Sequence, residues 1–265
     1  PVEAFAPSRN MGIMLHNALF GESKAERMTY AIGIFRDADE DGTVSQDGSY
    51  NMTLRVTGLP YYANDGEQLV HIGAAYSYRH PDEDDARFRA RPETHLSPER
   101  FTDTGSFSTD GVNLFGAEAA MVWGPLSVQS EYMAANIEPL DDTLGDVCLQ
   151  GWYVEASYFL TGEHRPYKNS SGTFGRVKPN KNFREDGGWG AFEVTSRISY
   201  LDLEHDQVVG ADARTVTSGT VGLNWYLTPN IRMMWNYVRA CMDESNDSYD
   251  GAAGDFLTWR VQFDW

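Results

Sequence analysis

Apolar and polar residues alternate with period two along most of the chain. The run that closes it shows this most plainly: Leu257, Trp259, Val261, Phe263 and Trp265 fall on one side, Thr258, Arg260, Gln262 and Asp264 on the other. Successive side chains of a strand point to opposite faces, so this segment reads as a strand with one wide apolar face and one polar face. The same split sets Phe192, Val194, Ile198 and Tyr200 against Glu193, Thr195, Arg197 and Ser199, and it recurs in VHIGAAYSY and GWYVEASYF. Alternation predicts eleven strands, over 11–19, 27–35, 50–58, 69–79, 113–123, 126–134, 150–160, 191–203, 213–226, 231–240 and 255–265. Many of them exceed the roughly five or six residues usual in soluble sheets. They match the length of a tilted strand crossing a bilayer, about nine to eleven residues.

A soluble β-sandwich also alternates, so the connections must separate the two architectures. Short ones, at 20–26, 124–125 and 228–230, largely take turns with long polar ones at 36–49, 80–112, 135–149 and 241–254. Short turns on one side and long loops on the other are the rhythm of an outer-membrane barrel. Tyr61, Tyr62, Trp123, Trp225, Tyr226 and Trp265 stand near strand ends, where interfacial aromatic girdles belong. The connection 161–190 breaks the rhythm, being long where a short turn is expected. It is locally basic through Arg165, Lys168, Arg176, Lys178, Lys181 and Arg184. Two readings stay open for it, a solvated basic loop or a segment folded into the lumen to meet anions.

Composition supports an all-β chain, with 13% aromatic residues and 25 glycines. A formal net charge of −18 and a pI near 4.6 argue against a nucleic-acid partner but not against a small anion in a locally basic pocket. No apolar run approaches the roughly twenty residues of a transmembrane helix. Cys148 and Cys241 are too few for a disulfide scaffold, and the sequence leaves their pairing open. The chain starts at Pro1 with no signal peptide, so it is expected to be processed or partial. The six histidines are scattered and no nucleophile motif such as G-x-S-x-G accompanies them, so no enzyme is expected.

The segments GWYVEASYFLTGEHRPY, GTFGRVKPN, GGWGAFEVTSRISYLDL, LNWYLTPNIRMMWNYVRA and FLTWRVQFDW resemble the phosphate-selective porins O and P, as do SRNMGIMLHNALF and RVTGLPYYANDGEQLVHIGAAYSYR. The resemblance covers most of the chain and is most specific at 151–203. It implies a transmembrane antiparallel β-barrel of about sixteen strands in the bacterial outer membrane, with a water-filled lumen narrowed by inward-folded loops. It also implies a homotrimer in contact with outer-membrane lipid and lipopolysaccharide. About eleven strands in a single barrel domain, 1–265, cannot close without an edge exposed to lipid. A further N-terminal portion of about five strands is therefore expected, with 1–10 as the tail of an inward loop. The terminal Trp265 is similar to the family's aromatic assembly signal, where Phe is more usual.

With the apolar faces outward, Arg55, His71, Arg79, Arg197, Arg232 and Arg260 are expected in the lumen, together with Glu118, Glu131, Glu155 and Glu193. Arginine suits phosphate because its planar fork makes bidentate, charge-assisted hydrogen bonds and keeps its proton. In ARFRARPETH, Arg87, Arg89 and Arg91 stand at spacing two, one face of an extended segment, with His95 and Arg100 beyond. The resemblance implies that such arginines lead small anions, phosphate or polyphosphate, to the constriction of a passive diffusion channel. The adjoining acidic run 82–85 offers local pairing partners, so a solvated loop with compensating charges stays open beside the arginine path. If 161–190 folds inward, Arg165, Lys168, Arg176 and Lys178 join the pathway. A general or cation-preferring porin on this scaffold remains open, as does a secreted, calcium-stabilised β-sandwich binding carbohydrate.

DADEDGTVSQDG, residues 37–48, comes close to a calcium loop. Asp37, Asp39 and Asp41 alternate, Gly42 takes the sharp turn, and Thr43 and Asp47 are further candidate ligands. Gly48 stands where a bidentate Glu would close the site, and the flanks alternate like strands. Two readings stay open for this external loop, a Ca2+ site or a merely solvated acidic loop, and no other cofactor is expected.

Overall fold

Each predicted strand is present in the computed structural model, which describes residues 2–6, 10–21, 26–37, 49–81, 85–94, 100–140, 145–205, 214–243 and 253–265. We number the long strands β1 (Asn10–Leu19), β2 (Met28–Asp37), β3 (Tyr50–Ala63), β4 (Gln68–His80), β5 (Phe107–Trp123), β6 (Leu126–Pro139), β7 (Val147–Phe159), β8 (Ala191–Asp202), β9 (Thr215–Thr228), β10 (Ile231–Asp243) and β11 (Ala253–Phe263). They form one antiparallel sheet in sequence order, and β1 and β11 each have a single long neighbour. Consecutive pairing of this kind is the up-and-down arrangement of a barrel wall.

Register sorts the two faces. Tyr158, Val194, Leu223, Trp235 and Trp259 lie opposite one another in turn across five strands, an apolar row on one face. Leu257 and Ile198 on that face are 83% and 58% exposed. Such exposure of large apolar side chains suits lipid and would be an aggregation hazard in water. The other face holds every predicted lumen residue: Arg55 is opposite Ala75, Glu118 opposite Gly73 and Glu131, Glu155 opposite Arg197 and Gln129, and Arg232 opposite Gln262.

Three expectations need correction. Tyr62 and Tyr226 do not join an aromatic girdle, because adjacent residues of a strand cannot share a face. Tyr61 and Trp225 face outward and stack on Trp123 and Phe192, with centroids 6.0 and 5.4 Å apart. Tyr62 packs inward near Leu59 and Leu69, and buried Tyr226 donates its hydroxyl to Glu193. Strand β3 does not end at 58 but continues past Pro60, since a register shift between Gly58 and Tyr61 leaves the missing proline N–H unneeded. Strand β5 begins at Phe107 instead of 113, because its polar start pairs with β6 and with Asp85–Ala86. Cys148 and Cys241 are exposed and unlinked.

Candidate functional site

Two segments fold over the polar face. The first leaves β4 and returns to β5 as a hairpin in which Arg89–Ala90 pairs with Thr102–Asp103. Its extended backbone alternates as the sequence predicts. Ala86, Phe88 and Ala90 are buried against Phe5 of the N-terminal turn Val2–Phe5 and against Val112, Leu114, Ile137, Leu149 and Leu201 of the wall, while Arg87 and Arg89 are exposed on the opposite side. At its far side the hairpin is fastened to β8, β9 and β11. Ser199 Oγ donates to Glu93 at 2.7 Å, Thr102 Oγ1 donates to the Arg214 carbonyl at 3.1 Å and accepts the Arg214 N–H at 2.9 Å, and Phe101 meets Phe256 at 5.9 Å between centroids.

The arginines of this hairpin divide. Arg87 is clamped by Asp103 in a bidentate pair of 2.7 and 2.6 Å, so its partner is the returning arm. The run 82–84, where the sequence offered neighbours for pairing, lies outside the described residues. The Asp103 carboxyl is held below the usual carboxylate range by Arg87. Arg89, Arg91 and Arg100 make no ion pair among the described residues, and Arg91 Nε is buried without a hydrogen-bond acceptor. Burial, then the like charges of Arg89 and Arg91, push the Arg100 proton affinity down, so these guanidiniums act on one another.

The second segment is the long connection 160–190, and of its two open readings the structure supports the folded one. Tyr167–Lys168 and Thr173–Phe174 pair as a small hairpin lying across β2 to β6. Arg55 Nη2 donates to the Gly172 carbonyl at 3.0 Å and pairs with Glu118 Oε1 at 2.7 Å. His71 links the same carboxylate, at 3.3 Å, to the Tyr167 hydroxyl, at 2.6 Å. Arg165 bonds Gln129 and lies over the Phe174 ring at 3.9 Å. Gly172 has φ +62, and a Cβ there would stand 2.5 Å from Thr57 Oγ1, so only glycine fits. Lys168, Arg176 and Lys178 are exposed.

Between the two segments the wall carries a further group of charged side chains. Arg197 stands over the Tyr153 ring at 4.0 Å, with Glu93 and Glu155 each at 3.9 Å. Buried Glu193 accepts from Asn224 and Tyr226, both at 2.8 Å. Arg232 is bonded to Gln262 at 2.8 Å, and Arg260 is exposed on β11 opposite Met234. Arg79 lies on the lumen face near the outer end of β4, opposite Asn51 and Val112. Sequence reasoning missed Asp103, Glu93, Tyr167 and Gly172, since their partners are set by how loops return, which no local period encodes.

Of the predicted calcium residues, Asp39, Asp41, Thr43 and Asp47 lie outside the described residues, as does His95; Asp37 closes β2 opposite Asn10.

A sheet of long strands, apolar outside and charged inside, with two segments folded over its inner face, is a section of a transmembrane β-barrel channel wall. The comparisons with known proteins agree. The chain belongs to the phosphate-selective porin O and P family, whose model matches residues 10–265. Porin O of Pseudomonas aeruginosa is 28% identical over 86% of this chain and 55% of its own length. An uncharacterized protein of Caulobacter vibrioides is 30% identical over 77% of this chain and 42% of its own. The chain thus spans about half the length of the curated relatives it matches. Membership places it in the outer membrane of a Gram-negative bacterium.

Proposed function

We propose that the whole protein is a passive diffusion channel for small anions, phosphate or polyphosphate among them. The observation that carries this reading is the group Arg89, Arg91 and Arg100, presented on the lumen side of the inward hairpin with no carboxylate ion pair among the described residues. Their forks are available for bidentate bonds to an oxyanion, and their mutual repulsion is relieved when an anion enters. Arg165, Lys168, Arg176, Lys178 and Arg232 continue the path toward the other mouth, while Arg55, Arg79, Arg197 and Arg260 set the field of the wall.

One observation favours a second reading, a general or cation-preferring porin: Arg55, Arg87 and Arg197 each face a carboxylate. The reversal potential of the full-length protein in a planar bilayer under a salt gradient, with phosphate titrated into chloride, decides between them. Anion selectivity with phosphate block of chloride current is the expected result. Cation selectivity without block establishes the second reading. Homotrimeric assembly and contact with lipopolysaccharide belong to the same proposal and rest on the family alone.

Calcium binding by residues 37–48 is a separate proposal, resting on the spacing of Asp37, Asp39, Asp41, Thr43 and Asp47. Calorimetric titration with Ca2+, then with Mg2+, should show heat lost in the double variant D39N/D41N.

A further inference from the structure

Glu155 occupies a place that the anion path alone does not explain. It lines two clefts: one toward the turn 160–190, with Arg165, Arg176 and Arg232, and one toward the hairpin, with Glu93 and Arg197. The clefts share Glu155, Thr195 and Asn224, so an ion moving from one to the other passes the Glu155 carboxylate. The other carboxylates of these clefts are engaged. Glu93 takes the Ser199 hydroxyl, Glu193 takes Asn224 and Tyr226, and Asp264 takes Gln262 at 2.8 Å. Glu155 accepts no hydrogen bond among the described residues, and its nearest guanidinium nitrogen, Arg197 Nη1, stands off at 3.9 Å.

A bare carboxylate in the middle of an arginine-lined path repels every anion, yet it is also a strong acceptor. An oxyanion that keeps a proton can donate it to such an acceptor; one without a proton meets only repulsion. Arginine by itself separates the two poorly, since tetrahedral dianions of similar size offer it the same oxygens.

We propose that Glu155 is a specificity-determining residue that passes oxyanions carrying an O–H, the phosphate and arsenate class, and turns back those without one, the sulfate class. The inference rests on the anion-channel reading above. In the cleft toward the hairpin Arg197 holds the ion beside Glu155; the O–H of a hydrogenphosphate bonds the carboxylate there, offsetting the repulsion. The ion then moves on to Arg165, Arg176 and Arg232.

The test compares phosphate and sulfate as blockers of chloride current through the full-length protein in planar bilayers, in mildly alkaline buffer where both are dianions differing in that one O–H. The wild type should favour phosphate. Glu155→Gln should lower the phosphate-to-sulfate ratio about tenfold, the lower range of a hydrogen bond to a charged group, chiefly because sulfate gains. An equal gain for both dianions means that Glu155 contributes charge only and overturns the inference. Glu155→Asp keeps the charge and withdraws the acceptor by one methylene, so it serves if the first variant fails to assemble. A reduced ratio is expected from it, and an unchanged ratio overturns the inference. A cation-selective wild type brings down the channel reading itself, and does so before any variant is made.

Discussion

The outer hairpin, 85–106, and the inner turn, 160–190, both fold into the lumen and both carry arginine, but they are fastened by opposite means. Mainly apolar side chains dock the hairpin: Ala86, Phe88 and Ala90 face the wall and Arg87 and Arg89 face away, with polar bonds from Glu93 and Thr102 added at its far side. Polar groups dock the turn, with the Gly172 carbonyl taken by Arg55, Tyr167 held by His71, and Arg165 placed against Gln129 and Phe174. An anchoring cation that is paired with a carboxylate, as Arg55 is with Glu118, presents little charge to a passing ion. Where apolar side chains do most of the anchoring, as under the hairpin, arginines such as Arg89 and Arg100 stay open to solvent.

The largest expected effect comes from removing the apolar anchor. Phe88 is 6% exposed and packs against Phe5 at 5.7 Å and Phe107 at 6.4 Å between centroids. Phe88→Ala should cost about 3 kcal/mol of docking free energy. The freed hairpin should then be cut by trypsin after Arg87 and Arg89 in the folded, detergent-solubilised protein, while the wild type resists. Resistance in the variant would place the anchor elsewhere.

On the other segment, Gly172→Val combines a positive φ with a Cβ against the Thr57 and Thr29 hydroxyls at 2.5 and 2.7 Å. A loss of about 2–3 kcal/mol is expected, read as a lower temperature for the heat-dependent shift in gel migration. Gly124→Ala is the control. It shares a positive φ, +57, but has no atom within 4 Å of the added Cβ, so about 1 kcal/mol is its expected cost.

How far the sequence reveals these two segments follows from the same contrast. The hairpin's charged face is legible because its docking is apolar and alternates with the arginines, so period two displays both faces in ARFRA. The turn is legible only as a basic stretch of unexpected length. Its fastening depends on Gly172 meeting Thr29 and Thr57, and on His71 meeting Tyr167, pairs 96 to 143 residues apart in the case of the turn's side-chain bonds to His71 and to Glu26. The wall itself is almost wholly legible, since a face that meets lipid and a face that meets water impose alternation on every strand. Where the strand calculus fails, at Pro60 and at Phe107, a bulge or the inward hairpin overrides it.

A smaller effect separates the carboxylate in the turn's anchor from its cation. Glu118→Gln leaves Arg55 its bond to Gly172 but removes its counter-charge, and His71 loses the same partner. With both side chains partly open to lumen water, about 1–2 kcal/mol is expected. Anion conductance should rise, because Arg55 becomes available. An unchanged conductance would mean that Arg55 is shielded by the turn rather than neutralised by Glu118.

The finest distinction lies within the hairpin, between Arg87 and its neighbours. The Arg87 pair is complete at neutral pH: Asp103 has its carboxyl lowered by Arg87, so the contribution is present above the ordinary carboxylate pKa and is lost as pH falls through the lowered value. In the neutral range, then, Arg89→Gln, Arg91→Gln and Arg100→Gln should each weaken phosphate block several-fold, about 1 kcal/mol, while Arg87→Gln should change it little. Asp103→Asn should do the reverse, releasing Arg87 and strengthening the block by a similar factor. Arg87 is nearly half exposed, but the Asp103 side chain is 15% exposed and also accepts the Gly105 N–H, so unchanged heat-modifiable migration of Asp103→Asn is the control that keeps the conductance change free of an assembly defect. If Arg87→Gln weakened the block as much as Arg89→Gln, the bidentate clamp would not mask the charge, and all four guanidiniums would have to be counted as one group.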